Sequence, residues 1–143
     1  MDSVRESRVR GIFDSANFIR DLGMELTLVE EGVCETSLVP RDRHMQQHGF
    51  VHAGVLATLA DHTAGCAARS VVADDHDVLT IEFKMNYLRP AIADRLRCRA
   101  VVLRGGKNIV VTEAEVFVLK GSEEKLACKG IFTVAIKRSL QEH

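Results

Sequence analysis

The sequence places one acid, Asp61, in a helix-forming stretch of small residues that offers it no basic partner. In a helix, its neighbours three and four positions away would be Ala57, Thr58, Ala64 and Gly65, so no Lys or Arg on that face neutralises the carboxylate. A solvated surface aspartate is the ordinary explanation of such a residue. The small neighbours would nevertheless leave the carboxylate open to water or to a substrate, an arrangement that suits a general base.

The start of the same helix is the second feature that could do chemistry, and it reads GFVHAG over residues 49–54. The first turn of a helix has unpaired backbone N–H groups and the positive end of the helix dipole. Such a turn can stabilise a carbonyl oxygen on which negative charge develops. Gly49 and Gly54 would allow tight backbone geometry and close approach at this point. A plain capping turn is the alternative interpretation.

Three histidines spaced four residues apart, His44, His48 and His52, would line up for zinc if they shared one helix. Gly49 and the polar residues before it argue against that helix. We therefore predict no metal site, with His44 and His48 in a loop and the His52 ring fixing the backbone at the helix start. The chain also has no G-x-S-x-G motif and no P-loop, so a serine hydrolase or a nucleotide-binding protein has no local support.

The elements that must position these residues are indicated by hydrophobic periodicity, and they predict an α+β fold. Helical character appears before Gly23, and strands follow on both sides of a Glu31-Gly32 turn. The only long helix is expected from about Ala53 to Val72, and a three-stranded antiparallel meander should follow it. The predicted helices span 4–13 and 15–22, and the predicted strands span 24–31, 33–39, 79–87, 96–102, 109–120 and 126–137.

Alternation is clearest in the strand predicted after the long helix. Apolar and polar residues alternate there with a period of two, which predicts one buried face; the apolar residues are Leu79, Ile81, Phe83, Met85 and Tyr87. The many alanines and glycines of the long helix weaken it in isolation. They are explained if a curved sheet packs closely against it, because small side chains let backbones approach.

Length, charge and cysteine content limit the class of protein. A chain of 143 residues with 46% hydrophobic residues is expected to form a single domain over 1–143 with a substantial core. A formal net charge of -1 gives no field for nucleic acid or anionic lipid. The four cysteines form no C-x-x-C pair, which favours free buried thiols and a cytoplasmic location. Charged residues interrupt the longest apolar stretch, so no membrane span is expected.

The run from Gln46 to Asp61, QQHGFVHAGVLATLAD, resembles the hotdog-fold acyl-CoA thioesterases of the phenylacetate-pathway (PaaI-like) type. That family's signature is H-G-G, a spacer and L-A-D, and the sequence Tyr87-Leu88-Arg89-Pro90 is similar to one of its strand ends. The resemblance extends from about Gly23 to Lys137. It implies a hotdog fold, in which an antiparallel sheet wraps around one long central helix, here preceded by a short N-terminal helical region.

The resemblance also implies an activity and a catalytic site. The family's catalytic carboxylate, acting as general base or as direct nucleophile on an acyl-CoA thioester, falls on Asp61. The backbone N–H that polarises the thioester carbonyl falls on Ala53, with His52 orienting the turn and the Gln46 amide as a second donor. A hydroxyl residue that assists the water falls on Thr80. Ala53 stands where the family has the first glycine of H-G-G.

Substrate contacts and assembly follow from the same resemblance. Gly54, Arg89 and Lys107 are expected to bind substrate, the two basic residues at the phosphates of coenzyme A. The family implies a homodimer with the active site between the helices of two chains, a further homotetramer, and no cofactor. Two alternatives stay open: a non-catalytic acyl-CoA-binding hotdog protein, and an enoyl-CoA hydratase-like hotdog enzyme.

Overall fold

A computed structural model of the chain describes residues 3–139. Its helices are α1 (Ser3–Ser15), α2 (Asn17–Leu22) and α3 (Ala53–Arg69), with a 3-10 turn at Asp42–His44. Its strands are β1 (Glu25–Glu30), β2 (Val33–Leu38), β3 (His76–Tyr87), β4 (Arg95–Gly105), β5 (Ile109–Lys120) and β6 (Glu123–Arg138). Residues 1–2 and 140–143 of the predicted domain lie outside the described residues.

The strands form one antiparallel sheet in the order β1-β2-β4-β5-β6-β3, and α3 contacts every strand from β2 to β6. The α+β class and the central helix are therefore confirmed. Four strands follow α3, which matches the four predicted strand segments but is one strand more than the predicted three-stranded meander. β4, β5 and β6 form that meander, and β3 pairs with β6 at the far edge of the sheet.

Small residues form the face of α3 that packs on the sheet. Ala60, Ala64 and Ala67 have no exposed surface, and neither does Leu59. Burial of one leucine side chain of this kind stabilises the fold by about 1.5 to 3 kcal/mol. The composition that weakens the isolated helix is thus what lets the sheet approach its backbone.

α3 ends at Arg69, three residues before the predicted end at Val72. The Ser70 hydroxyl donates a hydrogen bond to the Ala67 carbonyl (2.6 Å) and accepts one from the Gly32 N–H in the β1–β2 turn (2.8 Å). Ser70 therefore ties the last turn of the helix to a distant hairpin. A contact between residues so far apart in sequence leaves no mark in the local pattern, which is why the helix was predicted too long.

The predicted buried face of β3 is not buried within the chain. A bulge between Thr80 and Glu82 breaks the alternation, and β3 is an edge strand, with no further strand beside it among residues 3–139. Leu79, Ile81 and Phe83 keep 55%, 58% and 47% of their surface exposed. A free sheet edge carrying large apolar side chains is a site where another chain can pair.

No helix among residues 3–139 has the length and apolar character needed to cross a membrane.

Candidate active site

The His52 side chain caps the first turn of α3. His52 precedes the helix in an extended conformation (φ -60°, ψ 136°), and its Nδ1 accepts a hydrogen bond from the Gly54 N–H at 2.8 Å. A Cβ on residue 54 would lie 2.9 Å from that nitrogen, which is closer than carbon and nitrogen can pack. Gly54 therefore makes room for the ring, and the accepting Nδ1 leaves the imidazole proton on Nε2.

The Ala53 N–H stays available in the turn that His52 orders. It donates no hydrogen bond to any residue of the described chain. On the other side of the same residue, the Tyr87 hydroxyl donates to the Ala53 carbonyl at 3.2 Å. The turn is thus held by the His52 ring and the Tyr87 phenol, while its first N–H has no acceptor among the described residues. This is the geometry of a preorganised donor for an oxyanion.

The Gln46 side chain is positioned by its own loop. Its backbone N–H donates to the Phe50 carbonyl (2.8 Å), and its side-chain oxygen accepts from the His48 N–H. Gly49 closes the loop at φ +82°, a left-handed conformation that favours glycine. Because the amide oxygen is engaged, the Gln46 NH₂ is left to donate. Gln46 and Ala53 line one cavity of about 610 Å³, together with Tyr87 and Arg89.

Asp61 lies in a different cavity, of about 460 Å³, between α1, α3 and β3. The Thr80 hydroxyl donates a hydrogen bond to Asp61 Oδ1 at 2.7 Å, so β3 fixes the orientation of the carboxylate. Gly65, one turn further along α3, also lines this cavity, and a Cβ there would meet nothing within 4 Å. The acid predicted from sequence is therefore half-buried, held by the predicted hydroxyl, and open to a bound molecule.

Two of the further ionisable side chains that line the Asp61 cavity, His62 and Cys66, lie close to Asp61 in the sequence of α3. His62 packs its ring against Phe13 of α1 at 5.1 Å between centroids, and burial lowers the pKa of His62 although Asp61 opposes that shift. Burial likewise raises the pKa of the Cys66 thiol. A neutral thiol is a poor nucleophile, so Cys66 is not suited to attack a carbonyl carbon, whereas Asp61 presents a carboxylate oriented by Thr80.

The Asp61 carboxylate and the Ala53 N–H line separate cavities of the chain. They are eight residues apart on the same helix, which separates their backbones by about 12 Å along the axis. A carbonyl group needs its oxygen within about 3 Å of the donor and its carbon within about 3.5 Å of the attacking atom. The two cavities, the Asp61 half-site and the Ala53 half-site, are therefore separate within one chain.

The remaining predicted site residues divide between the two ends of α3. Arg89 lies near Ala53, and its Nε donates to the Leu126 carbonyl at 3.0 Å. Lys107 lies at the other end, in a separate depression beside Val71 and Val72, and within one chain it meets neither half-site. His44 is buried with both ring nitrogens near backbone groups, the Arg41 N–H and the Leu22 carbonyl. His44, His48 and His52 do not share a helix.

Three residues of these cavities were not singled out from the sequence. Tyr87 was predicted only as an apolar residue of the alternating strand and as part of a family motif, and its bond to Ala53 depends on where β3 crosses the start of α3. Gly65 and Arg69 follow Asp61 at intervals of four residues and line its cavity. That spacing could have predicted their position beside Asp61, since residues four apart share one face of a helix.

Comparison with known proteins decides the family. A family description of the thioesterase superfamily matches residues 48–125, more than half of the chain. The chain belongs to the thioesterase superfamily. The resemblance noted in the sequence, the hotdog fold and the enzyme class, a thioester hydrolase, are thereby confirmed.

Individual relatives agree with this assignment. A thioesterase family protein from Silicibacter pomeroyi has a structure that superposes with a TM-score of 0.93 at 30% identity, covering 94% of this chain and 99% of that one. The 1,4-dihydroxy-2-naphthoyl-CoA hydrolase of Listeria monocytogenes is 29% identical over 117 residues, 82% of this chain and 93% of its own. The E. coli PaaI protein shares the fold, with a TM-score of 0.83 at 19% identity, covering 94% of this chain and 93% of its own.

Proposed function

We propose that this thioesterase hydrolyses an acyl-CoA or aryl-CoA thioester to the free acid and coenzyme A. The observation that carries the proposal is the Asp61 carboxylate, held by Thr80 at 2.7 Å in the wall of an open cavity. The Listeria relative, which acts on a CoA thioester by its name, supports the same substrate class.

In the proposed reaction, Asp61 removes a proton from a water molecule as its oxygen attacks the thioester carbonyl carbon. Thr80 orients the carboxylate, and its hydroxyl lies near the attacking water. The carbonyl oxygen becomes an oxyanion and accepts hydrogen bonds from the Ala53 N–H and the Gln46 amide. When the C–S bond breaks, the proton held by Asp61 passes to the departing sulfur, which leaves as the thiol of coenzyme A.

The catalytic unit is proposed to be a homodimer, because the two half-sites of one chain lie about 12 Å apart. Pairing of two β3 edges would join the sheets and bring Asp61 of one protomer to Ala53 and Gln46 of its partner. The exposed apolar residues of β3 support this edge as the interface. A homotetramer of two such dimers is part of the proposal, and so is a single domain spanning residues 1–143.

Coenzyme A is proposed to lie along the cavity that holds Ala53, with the Arg89 guanidinium at its phosphates. Arg89 is exposed and uses only Nε on the protein, so its terminal nitrogens remain available to an anion. Lys107 is proposed to bind a coenzyme A phosphate from another chain of the assembly. All four cysteines are free and buried, which supports the proposed cytoplasmic location.

A panel of straight-chain, branched and aromatic acyl-CoAs, monitored by thiol release, tests this function. The wild type should hydrolyse at least one of them. The Asp61→Ala variant should remain folded and assembled while kcat falls by about 10² or more, a loss comparable to that for one oxyanion donor. Near-normal turnover by that variant would refute the assignment. Tight acyl-CoA binding without turnover by the wild type would identify a binding protein, and hydration of an enoyl-CoA without thiol release would identify a hydratase.

A further inference from the structure

The ion pair between Arg69 and Asp77 lines the part of the Asp61 cavity that is furthest along α3 from Asp61. Asp61, Gly65 and Arg69 follow one another at four-residue intervals along the floor formed by α3. Opposite them, β3 runs from Thr80 beside Asp61 to Asp77 beside Arg69. The distance from Asp61 to Arg69 is about 12 Å by the helical rise, and that from Thr80 to Asp77 is about 10 Å along the strand.

The Arg69 side chain is unusually buried for an arginine, with 7% of its surface exposed. Its terminal nitrogens donate to the Val72 carbonyl (3.5 Å) and the Asp74 carbonyl (3.3 Å), and its Nε lies 3.6 Å from Asp77 Oδ1. The Asp74 carboxylate in turn pairs with Arg8 of α1. The guanidinium is therefore held by two backbone carbonyls and lies next to the Asp77 carboxylate.

The Asp77 carboxylate, unlike the Arg69 guanidinium, is partly exposed to solvent. Half of its side chain is exposed, and the 3.6 Å separation from Arg69 Nε is too long for a hydrogen bond. Its charge therefore depends on water for much of its solvation. A hydrocarbon tail pressed against Asp77 would displace that water without replacing its hydrogen bonds, which is unfavourable for a charged group.

We propose that the Arg69–Asp77 pair is the end wall of the acyl-binding cavity and sets the maximum length of the acyl group. This inference rests on the proposed function, because it places the thioester carbon beside Asp61. A fully extended chain advances about 1.2 Å per bond. After about 3 Å for the carbonyl contact at Asp61 and about 4 Å for contact with the wall, about 5 Å of the 12 Å remain.

That length holds about four bonds beyond the carbonyl carbon, so acyl groups of about five carbons or fewer fit in extended form. The volume of about 460 Å³ and the missing side chain at Gly65 make the cavity wide for its length. Short and broad acyl groups, including a single aromatic ring, are therefore accepted. Long fatty acyl groups are rejected at the charged wall.

Two variants at the wall separate its shape from its charge. Asp77→Ala removes both the carboxylate and its volume, whereas Asp77→Asn keeps the shape and removes the charge. Asp75→Ala is the matched control, because Asp75 lies two residues away, is paired with His76 and does not line the cavity. Thermal unfolding and the oligomeric state of each variant show whether the fold is retained.

The first measurement is kcat/KM for saturated acyl-CoAs from four to twelve carbons. For the wild type and Asp75→Ala, kcat/KM should fall at least tenfold between four and twelve carbons. Asp77→Ala should reduce that fall to threefold or less, with Asp77→Asn in between. If Asp77→Ala keeps the wild-type ratio, or if the wild type prefers twelve carbons, the end wall is assigned wrongly.

The second measurement is competition binding of S-alkyl-CoA thioethers of the same lengths, which lack the carbonyl and cannot be hydrolysed. Their affinity should fall with length in the wild type and less steeply in Asp77→Ala. If the thioethers follow this pattern while no acyl-CoA is hydrolysed, the end wall stands and the proposed hydrolysis fails. If acyl-CoAs are hydrolysed and neither length profile responds to Asp77, hydrolysis stands and the end wall fails. If no thioether binds, both are refuted.

Discussion

Mixed dimers of two inactive variants offer a strict test of how the active site is assembled. Asp61→Asn removes the base but leaves Ala53 intact, and Ala53→Pro removes the N–H donor but leaves Asp61 intact. Proline suits this position because it is the first residue of α3 and its N–H donates to no described residue. His52 before it already has the extended conformation that a residue preceding proline adopts.

The expected activities follow from the separation of the two half-sites. Each variant alone should lose about 10² to 10³ in kcat, because every site in its homodimer lacks either base or donor. Mixed in equal amounts, the two variants should form about half heterodimers, each with one intact and one doubly defective site. About one quarter of the wild-type activity should therefore return, a gain of at least tenfold over either variant.

Differently tagged copies, co-expressed and purified through both tags, provide the assay. The doubly tagged fraction should have about half of the wild-type kcat per dimer, since one of its two sites is intact. The control is a doubly tagged dimer in which both chains carry Asp61→Asn, and this dimer should be inactive. If the purified Asp61→Asn and Ala53→Pro heterodimer is as inactive as its parents, base and donor act within one chain and the two half-sites do not combine across a dimer.

Three further outcomes are expected. Thr80→Val removes the hydroxyl that donates to Asp61 at 2.7 Å, so kcat should fall at least tenfold with the fold and dimer retained; unchanged kcat would show that Asp61 needs no such partner. Ile81→Glu places a charge on the exposed edge of β3. Light scattering should then show monomers, and the thiol-release assay should show no activity. The control Leu103→Glu, at a similarly exposed residue of β4, should remain dimeric and active. Burial lowers the pKa of His62, so below about pH 6.5 the unfolded chain binds the proton more readily and the folded state loses stability. The melting temperature of His62→Phe relative to wild type should therefore rise as the pH falls from about 7.5 to about 5, and a pH-independent difference would contradict this.

The site residues were predictable to different degrees. Asp61 and the turn at Ala53 stood out from residue types and spacing, because an acid without a basic neighbour and a glycine-flanked helix start are local features. Thr80 was matched through the family resemblance, and its contact with Asp61 connects residues on different elements. The Asp77 end of the cavity was not foreseen, since its pairing with Arg69 depends on how β3 lies across α3.

Within the fold, the sequence by itself determined the turns, the strand segments and the central helix with its small residues. Each of these depends on hydrogen bonds and side-chain contacts between residues that are near in sequence, so periodicity and turn-forming residues specify them. Only the tertiary structure decided that β3 pairs with β6, that its apolar residues stay exposed within one chain, and that Lys107 lies far from Ala53. Strand order and burial depend on which distant segments meet, and segments with the same alternation can pair in several orders that the pattern does not distinguish.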